Sequence, residues 1–293
     1  MFDLAERVLD ATEWQARAEA YRQRLEDFLA PHLRRIAAGD PVPKFLFSYY
    51  SLRPAQLRSW NPGFGVTLAG QEALRDYSRR RGYAVRGGQV RVAEEYLRER
   101  VDTVTFVARL LRATGTRPAQ LNCFGLHEWA MVYRGDTVRH GHIPLRLSAT
   151  ETDRVVESIP LRCTHFDAFR FFTPAAAPRN AGAPSRATQI AWEQPGCLHA
   201  NMDIYKWCYK LGPLIDSELL LECLELAASA REIDMRASPY DLSDYGYAPI
   251  TIENAAGRAE YVRSQGEIAR RATPLRAALL DRCDLLLGVA GCG

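Results

Sequence analysis

Residues 119–134, AQLNCFGLHEWAMVYR, constrain the fold most, because apolar side chains surround the whole axis of the helix that they predict. A helix that is apolar on every side is buried inside a protein. His127 and Glu128 lie in the middle of this segment and are therefore expected to be buried too. A buried carboxylate is costly without a partner, so Glu128 should have a cationic partner or a raised pKa. A structural Glu–Arg pair and a functional carboxylate both satisfy this expectation.

Residues 194–211, QPGCLHANMDIYKWCYKL, carry the densest group of reactive side chains, and Gly212-Pro213 ends the helix that they predict. His199, Asp203 and Lys206 fall on one narrow stripe of that helix, which is otherwise apolar or aromatic. Such a stripe either lines a site or faces water. Because the polar pair of the first segment needs buried partners, we interpret the stripe as one wall of a pocket that it shares with that pair.

The composition is that of a globular protein, with 293 residues, 47% of them apolar and 25% charged. A net charge of +3 gives no strong electrostatic argument for nucleic-acid binding. No run approaches the roughly 18 apolar residues of a membrane span, and the N-terminus predicts no secretory leader. The seven cysteines are scattered without CxxC pairs, which favours reduced thiols. We expect a cytoplasmic protein with no membrane partner.

The hydrophobic periodicity predicts a mainly α fold, a single helical domain with a small two- or three-stranded β insertion. Residues 1–40 are assigned to an N-terminal helix, 45–252 to the core that carries the motifs, and 253–293 to a C-terminal helix. The insertion is expected as a hairpin of residues 143–148 and 159–166, which His140-Gly141-His142 precedes. Further amphipathic helices are predicted over residues 12–39, 92–113, 149–156 and 217–235.

Two aromatic segments are candidate ligand-binding surfaces. In FLFSYYSLRPAQLRSW, Tyr49 and Arg53 are placed to stack on and hydrogen-bond a flat ligand, or else they belong to an aromatic core helix with an arginine at its rim. In RCTHFDAFRFF, His165, Asp167 and Arg170 alternate with phenylalanines. This alternation is typical of a pocket wall, and equally of a strand with one solvated face.

The chain lacks GxGxxG, P-loop, GxSxG and HExxH motifs, which argues against the enzyme classes that depend on them. A dispersed set of histidines and carboxylates remains, suited to acid–base chemistry or to a divalent or iron-like metal ion. The candidate metal ligands are His127, Glu128, His165, His199 and Asp203. Three cysteines each precede one of these histidines by two to four residues: Cys123, Cys163 and Cys197. They are either further metal ligands or small apolar residues of the core.

Four segments resemble a group of bacterial proteins commonly labelled 3-methyladenine DNA glycosylase: FGLHEWAMVY, RCTHFDAFRFFTP, QPGCLHANMDIYKWCYKL and SPYDLSDYGYAPI. The resemblance covers about residues 45–252. It implies hydrolysis of the N-glycosidic bond of an alkylated or modified nucleobase, in DNA or a nucleoside, without a required cofactor. The chain departs from the helix-hairpin-helix glycosylases, because Gln194-Pro195-Gly196 lacks their second glycine and Asp203 lies at the wrong distance.

Base release of this kind needs an aromatic pocket, stabilisation of the sugar cation and a carboxylate that positions water. The catalytic candidates are Glu128, Asp203, His199 and Lys206, the last as a phosphate contact or an amine nucleophile. The substrate-binding candidates are His127, Trp129, Tyr49, Arg53, His165, Asp167, Arg170, Asn201 and Tyr205. Under this hypothesis, Asp203→Asn or Glu128→Gln abolishes base release from alkylated DNA.

Two alternatives stay open at the level of sequence. The first is a small-molecule enzyme, metal-dependent or not, that uses the same buried histidines and carboxylates. The second is a non-catalytic helical interaction protein, in which the polar stripe and His127-Glu128 form ordinary salt bridges at the surface.

Overall fold

A computed structural model describes residues 7–50, 52–135 and 143–291 and confirms a mainly α fold with a small β part. The α-helices are α1 (Ala11–Ala37), α2 (Pro41–Ser48), α3 (Pro54–Leu57), α4 (Gln71–Tyr77), α5 (Glu94–Gly115), α6 (Leu126–Ala130), α7 (Ala149–Ser158), α8 (Phe166–Phe169), α9 (Gln189–Trp192), α10 (Leu198–Leu211), α11 (Ser217–Arg236) and α12 (Ala255–Ala290). Within these described ranges, no helix is both long and apolar enough to cross a membrane.

The chain divides into two compact units. The first comprises the residues up to Leu111, Ile204–Glu225 and the residues from Leu275 onward; the second comprises Arg112–Asp203 and Leu226–Pro274. The division falls within several long helices, so α10, for example, contributes its residues up to Asp203 to the second unit. The assignment of the whole chain to a single domain stays a prediction.

The first unit contains a four-stranded sheet in the order β1 (Arg7–Leu9), β2 (Val66–Leu68), β4 (Gln89–Val92) and β3 (Tyr83–Arg86). Strands β1 and β2 are parallel, and the other two pairings are antiparallel. The two-residue turn between β3 and β4 is Gly87-Gly88, with φ of 56° and 77°. Positive φ at both positions matches the twist of a hairpin and is tolerated by glycine, which explains this local pairing.

The hairpin predicted at residues 143–148 and 159–166 is wrong. Each segment forms only an isolated bridge, Leu145 with Tyr240 and Leu161 with Asn180, so each pairs with a distant stretch of chain. Part of RCTHFDAFRFF is helical instead, as α8, and His165 is its N-cap. Helix α7 has the predicted start, because Ser148 and Glu151 form a reciprocal capping box. His140 and His142 lie outside the described residues.

Several predicted helices agree closely with the structure. Helix α1 begins one residue before the predicted residue 12, because the side chain of Asp10 caps it by accepting the N–H group of Glu13. The assignment of residues 1–40 to a helix is wrong at Arg7–Leu9, which form strand β1. Its buried face packs in the first unit through Trp14, Ala18, Tyr21, Leu25 and Leu29. Helix α5 is shifted by about one turn or less from its predicted bounds, and α11 and α12 match theirs to within a few residues.

The helix predicted over residues 119–134 is much shorter than expected, although its burial is confirmed. Phe124 and Gly125 have φ of 49° and 69°, so the backbone is left-handed where the helix was expected to continue. Helix α6 therefore begins only at Leu126, and all five of its residues are buried. The prediction was right about burial because that depends on side-chain composition, and wrong about length because one glycine permits a turn.

Candidate functional site

Helices and helix ends of the second unit gather eight polar residues in its interior. Helix α6 supplies His127 and Glu128, α10 supplies His199 and Asp203, and α11 supplies Arg231 and Asp234. The N-cap of α8 supplies His165, and the C-cap of α9 supplies Glu193. Seven of these eight residues are buried, and the His199 side chain is 13% exposed. Six of the eight form two groups, each of three residues whose metal-ligating atoms lie within 4.8 Å of one another.

The first cluster consists of His127, His199 and Asp234. Nε2 of His127 lies 2.8 Å from Oδ1 of Asp234, and Nε2 of His199 lies 4.0 Å from Oδ2 of the same carboxylate. Although the 2.8 Å contact has the length of a hydrogen bond, neither of its two atoms has a hydrogen-bond partner. The contact therefore lacks the directionality of a hydrogen bond. The two buried atoms therefore form a close ion pair whose geometry is not that of a hydrogen bond.

Arg231 holds the carboxylates of this region in place. Its Nη1 donates to Oδ2 of Asp234 at 2.8 Å and to Oε1 of Glu128 at 3.0 Å. The buried Glu–Arg pair expected for Glu128 is therefore present. The second oxygen of Glu128, Oε2, is buried without a hydrogen-bond partner. Arg231 thus fixes one oxygen of each carboxylate and leaves the other oxygen of each for a different partner.

Burial and neighbouring charges shift the pKa values of the two histidines of the first cluster in opposite directions. Burial opposes protonation of His127, but Asp234 and Glu128 outweigh it and raise the pKa of His127. Burial and the charge of His127 hold the pKa of His199 well below its ordinary value. Burial also opposes ionisation of Asp234, but His127, His199 and Arg231 prevail and lower the pKa of Asp234. His199 and Asp234 are thus held in the forms that bind metal ions, a neutral imidazole and an ionised carboxylate, whereas His127 must release a proton when an ion binds.

The second cluster consists of His165, Glu193 and Asp203. Nε2 of His165 lies 3.2 Å from Oδ2 of Asp203 and 3.5 Å from Oε1 of Glu193. The side-chain amide of Gln189 donates to Oε1 of Glu193 at 2.5 Å. Arg117 donates to the backbone carbonyl of Glu193 at 2.7 Å, which fixes the end of α9. Glu193 is thus held both at its side chain and at its backbone.

His199 connects the two clusters. Its ring lies edge-on to His127, with 4.5 Å between the ring centroids, and is stacked on His165 at 5.3 Å. His199 and Asp203 are four residues apart and share the stripe that the sequence predicted. The structure divides that stripe, because His199 belongs to the first cluster and Asp203 to the second.

A cavity of about 20 Å³ adjoins His127 and His199. Three thiols, those of Cys123, Cys163 and Cys197, also line it. A volume of this size holds about one water molecule. Burial raises the pKa of the Cys163 thiol to about 12 and raises those of the other two thiols as well. The three cysteines are free, as expected, and belong to neither cluster of donor atoms.

The remaining candidates of the second unit have other contacts. Trp129 is completely buried, donates to the carbonyl of Ala237 at 2.8 Å, and has the guanidinium of Arg146 5.5 Å from its ring centroid. Asp167 and Arg170 form an ion pair with each other at 3.6 Å. Asn201 donates to the carbonyl of Pro195, so it stabilises the chain before α10.

Four predicted site residues belong to the first unit. Tyr49 stacks on Phe45 at 4.7 Å, and Arg53 is the N-cap of α3. Tyr205 is completely buried in that unit, edge-on to Tyr50 at 5.5 Å. Lys206 is buried with its ammonium 4.8 Å from the ring centroid of Trp207. The aromatic-core interpretation of the segment around Tyr49 therefore describes its packing within this unit.

Sequence reasoning missed three residues of the site, Glu193, Arg231 and Asp234. Arg231 and Asp234 are three residues apart on α11 and therefore share one face of that helix. That spacing was the available signal, and it was overlooked because the apolar periodicity of the helix was explained by packing alone. Glu193 lies outside any helix, and no periodicity marks it. Among the predicted metal ligands, Glu128 is replaced by Asp234 in the first cluster.

No model of a known protein family matches the chain, and neither a curated protein nor a solved structure does. The resemblance of the four segments to the glycosylase group stays a prediction, as does the hydrolysis of N-glycosidic bonds that it implies.

Proposed function

We propose that the protein is a metal-dependent enzyme in which His127, His199 and Asp234 hold a divalent transition-metal ion. Two imidazoles and one carboxylate form a ligand set that suits iron, zinc and related ions. This is the small-molecule alternative considered for the sequence, with Asp234 in the position that had been assigned to Glu128.

One observation carries the proposal. Nε2 of His127 and Oδ1 of Asp234 converge to 2.8 Å, are buried, and have no hydrogen-bond partner. Buried polar atoms are normally hydrogen-bonded, so an ion pair of this length without hydrogen-bond geometry needs an explanation. A cation shared by both atoms satisfies each of them, and His199 completes the set of three. A surface salt bridge is excluded for His127 because its side chain is 6% exposed, which argues against the non-catalytic interaction protein.

The surrounding residues have supporting roles. Arg231 fixes Oδ2 of Asp234, so the other oxygen keeps its orientation toward His127. The cavity beside His127 and His199 has room for about one water molecule and is shielded by cysteine side chains. A bound ion of this class would supply Lewis-acid chemistry to a water molecule in such a cavity. Glu128, which shares Arg231 with Asp234 and has no hydrogen bond at Oε2, is our candidate for a proton acceptor.

The test is the metal content of protein purified without added metal, measured by elemental analysis. We expect a transition metal at one equivalent per chain or more, and a lower melting temperature after chelation. His127→Ala and Asp234→Asn should remove the metal of this cluster. Glu157→Gln is the matched control, since Glu157 is a carboxylate of the same unit that pairs with Arg134 outside both clusters. Metal at trace levels, with a melting temperature insensitive to chelator, would overturn the proposal.

A further inference from the structure

We infer that the second cluster, His165, Glu193 and Asp203, binds a second metal ion, so that the site is a two-ion centre. The inference rests on the proposed function, because the two clusters are neighbours and the second ion is placed beside the first.

The spacing of the donor atoms supports a second ion. Around a tetrahedral ion with bonds of roughly 2.1 Å, neighbouring donor atoms lie about 3.4 Å apart. In the second cluster, Nε2 of His165 lies 3.2 Å and 3.5 Å from the oxygens of Asp203 and Glu193. The arrangement is therefore close to that required around an ion, and only small rotations of the side chains are needed.

The second cluster also has the ligand types and the supporting hydrogen bonds that are found in metal sites. All three side chains are buried, and they comprise one imidazole and two carboxylates. Oxygen-rich sets of this kind favour harder ions such as manganese or ferrous iron. The amide of Gln189 donates to Glu193, and the carboxamide of Asn180 holds the backbone of Cys163 just before His165. Such contacts orient ligands before the ion arrives.

The position of the proton on His165 distinguishes the metal-free form of this cluster from the metal-bound form. In a simple hydrogen bond, Nε2 of His165 carries a proton and donates it to Asp203. When Nε2 binds an ion it carries no proton, so a neutral ring has its proton on Nδ1. Binding of the second ion therefore replaces the hydrogen bond between His165 and Asp203. Both residues then bind the same cation, and Glu193 is its third ligand.

Ring stacking between His199 and His165 makes the two clusters neighbours. His199 is a ligand of the first cluster, and its ring is stacked on that of His165 at 5.3 Å. Centres with two adjacent ions bind substrates through two oxygen atoms, one at each ion. A two-ion centre accordingly narrows the substrate class to small molecules that offer two oxygen donors.

The experiment measures how many ions the full-length protein binds. Metal-free protein is titrated anaerobically with Mn²⁺ alone, and bound ions are counted after gel filtration. We expect two equivalents for the wild type and for the control Glu157→Gln. Glu193→Gln and Asp203→Asn should each reduce the count to one, as should His127→Ala, while a variant that combines Glu193→Gln with His127→Ala should bind none.

The outcomes separate the inference from the proposed function. Zero equivalents in the wild type would overturn both. A single equivalent would overturn the two-ion centre, and if only His127→Ala removed that equivalent, the proposed function would stand. The electron paramagnetic resonance spectrum of the Mn²⁺-loaded wild type gives an answer that requires no variant to fold. Two adjacent Mn²⁺ ions give an exchange-coupled spectrum, whereas the simple six-line spectrum of an isolated ion would contradict the inference.

Discussion

Arg231 donates to Oδ2 of Asp234 at 2.8 Å, and by doing so it leaves Oδ1 of that carboxylate directed at His127. The same guanidinium nitrogen also donates to Glu128 at 3.0 Å. One cation therefore serves two buried carboxylates that come from different helices. Because all three side chains are buried, removal of the cation leaves charges that water cannot solvate.

Arg231→Leu should therefore be strongly destabilising. We expect the free energy of unfolding of the metal-free protein to fall by about 3–5 kcal/mol, the usual effect of breaking a buried ion pair on one side. Urea denaturation followed by circular dichroism measures it. The control is Arg134→Leu, which breaks an exposed ion pair with Glu157 of 2.6 Å and should leave the midpoint almost unchanged. Equal effects of the two substitutions would show that Arg231 contributes no more than a surface arginine.

Two glycines provide a matched pair of substitutions with opposite expected signs. A Cβ atom at Gly196 would lie 2.5 Å from the backbone carbonyl oxygen of Gln120, and backbone cannot move aside cheaply. Gly196 is also held by Gln194 and Gln265, which bond its N–H and carbonyl groups. Gly196→Ala should therefore lower the free energy of unfolding by about 1–3 kcal/mol, the range for overpacking.

The partner substitution is Gly288→Ala within α12. A Cβ atom there meets nothing within 4 Å, so alanine adds helix propensity without a clash. It should raise the free energy of unfolding by about 0.5–1 kcal/mol. Chemical denaturation of both variants under the same conditions checks the pair. If Gly196→Ala left the free energy of unfolding unchanged, the loop before α10 would be able to shift away from Gln120.

The elements that sequence predicted well are those with long periodic patterns. Helices α1, α5, α11 and α12 each bury one face over many turns, and their bounds agree with the prediction to within a few residues. The sheet could not be located in this way. Its strands are three or four residues long, and β1 pairs with β2 from far along the chain. A strand of three residues shows too little alternation to be distinguished from a loop.

The candidate site was predicted in part, for an identifiable physical reason. His127 and His199 were singled out because a polar group inside an apolar helix needs a partner, and the structure brings these two side chains together. Asp234 is also completely buried, but four glutamates on the same helix α11 kept the sequence from distinguishing it. What sequence could not give is which partner each residue has. His199 and Asp203 share one stripe, yet they belong to different clusters.

The buried phenol of Tyr21 should make stability depend on alkaline pH. Burial raises the pKa of Tyr21 well above its ordinary value, and its hydroxyl donates to the carbonyl of Leu57 at 2.7 Å. Above about pH 10 the unfolded chain loses this proton while the folded chain keeps it. Unfolding therefore becomes easier as pH rises, by about 1.4 kcal/mol for this residue at one pH unit above the unfolded pKa.

Tyr21→Phe isolates this contribution. At pH 8 the variant should be less stable than the wild type by about 1 kcal/mol, because it lacks the hydrogen bond to Leu57. At pH 11 the difference should disappear or reverse, since phenylalanine has no proton to lose. Urea denaturation of both proteins at the two pH values gives the comparison. A difference that is the same at both would mean that Tyr21 ionises equally in the folded and unfolded chains.

Asn180 links the stability of the second unit to its second cluster. Its Oδ1 accepts the N–H group of Cys163 at 2.8 Å, and its Nδ2 donates to the carbonyls of Cys163 and Gly182 at 2.9 and 2.6 Å. These three bonds fix the backbone two residues before His165. Asn180→Ala should lower the free energy of unfolding by about 2–3 kcal/mol, because it leaves buried backbone groups unsatisfied. It should also weaken binding of the second Mn²⁺ equivalent and leave the first equivalent unchanged.

A second asparagine separates these two effects of Asn180. Asn254 accepts the N–H group of Gly257 at 2.8 Å and so caps α12. Asn254→Ala should cost about 1 kcal/mol, as loss of a helix cap does, and leave both Mn²⁺ equivalents in place. Denaturation and Mn²⁺ titration of the two variants therefore distinguish a general loss of stability from a displaced His165. If Asn180→Ala kept full affinity for both equivalents, the loop from Cys163 to His165 would not need this side chain to present its imidazole.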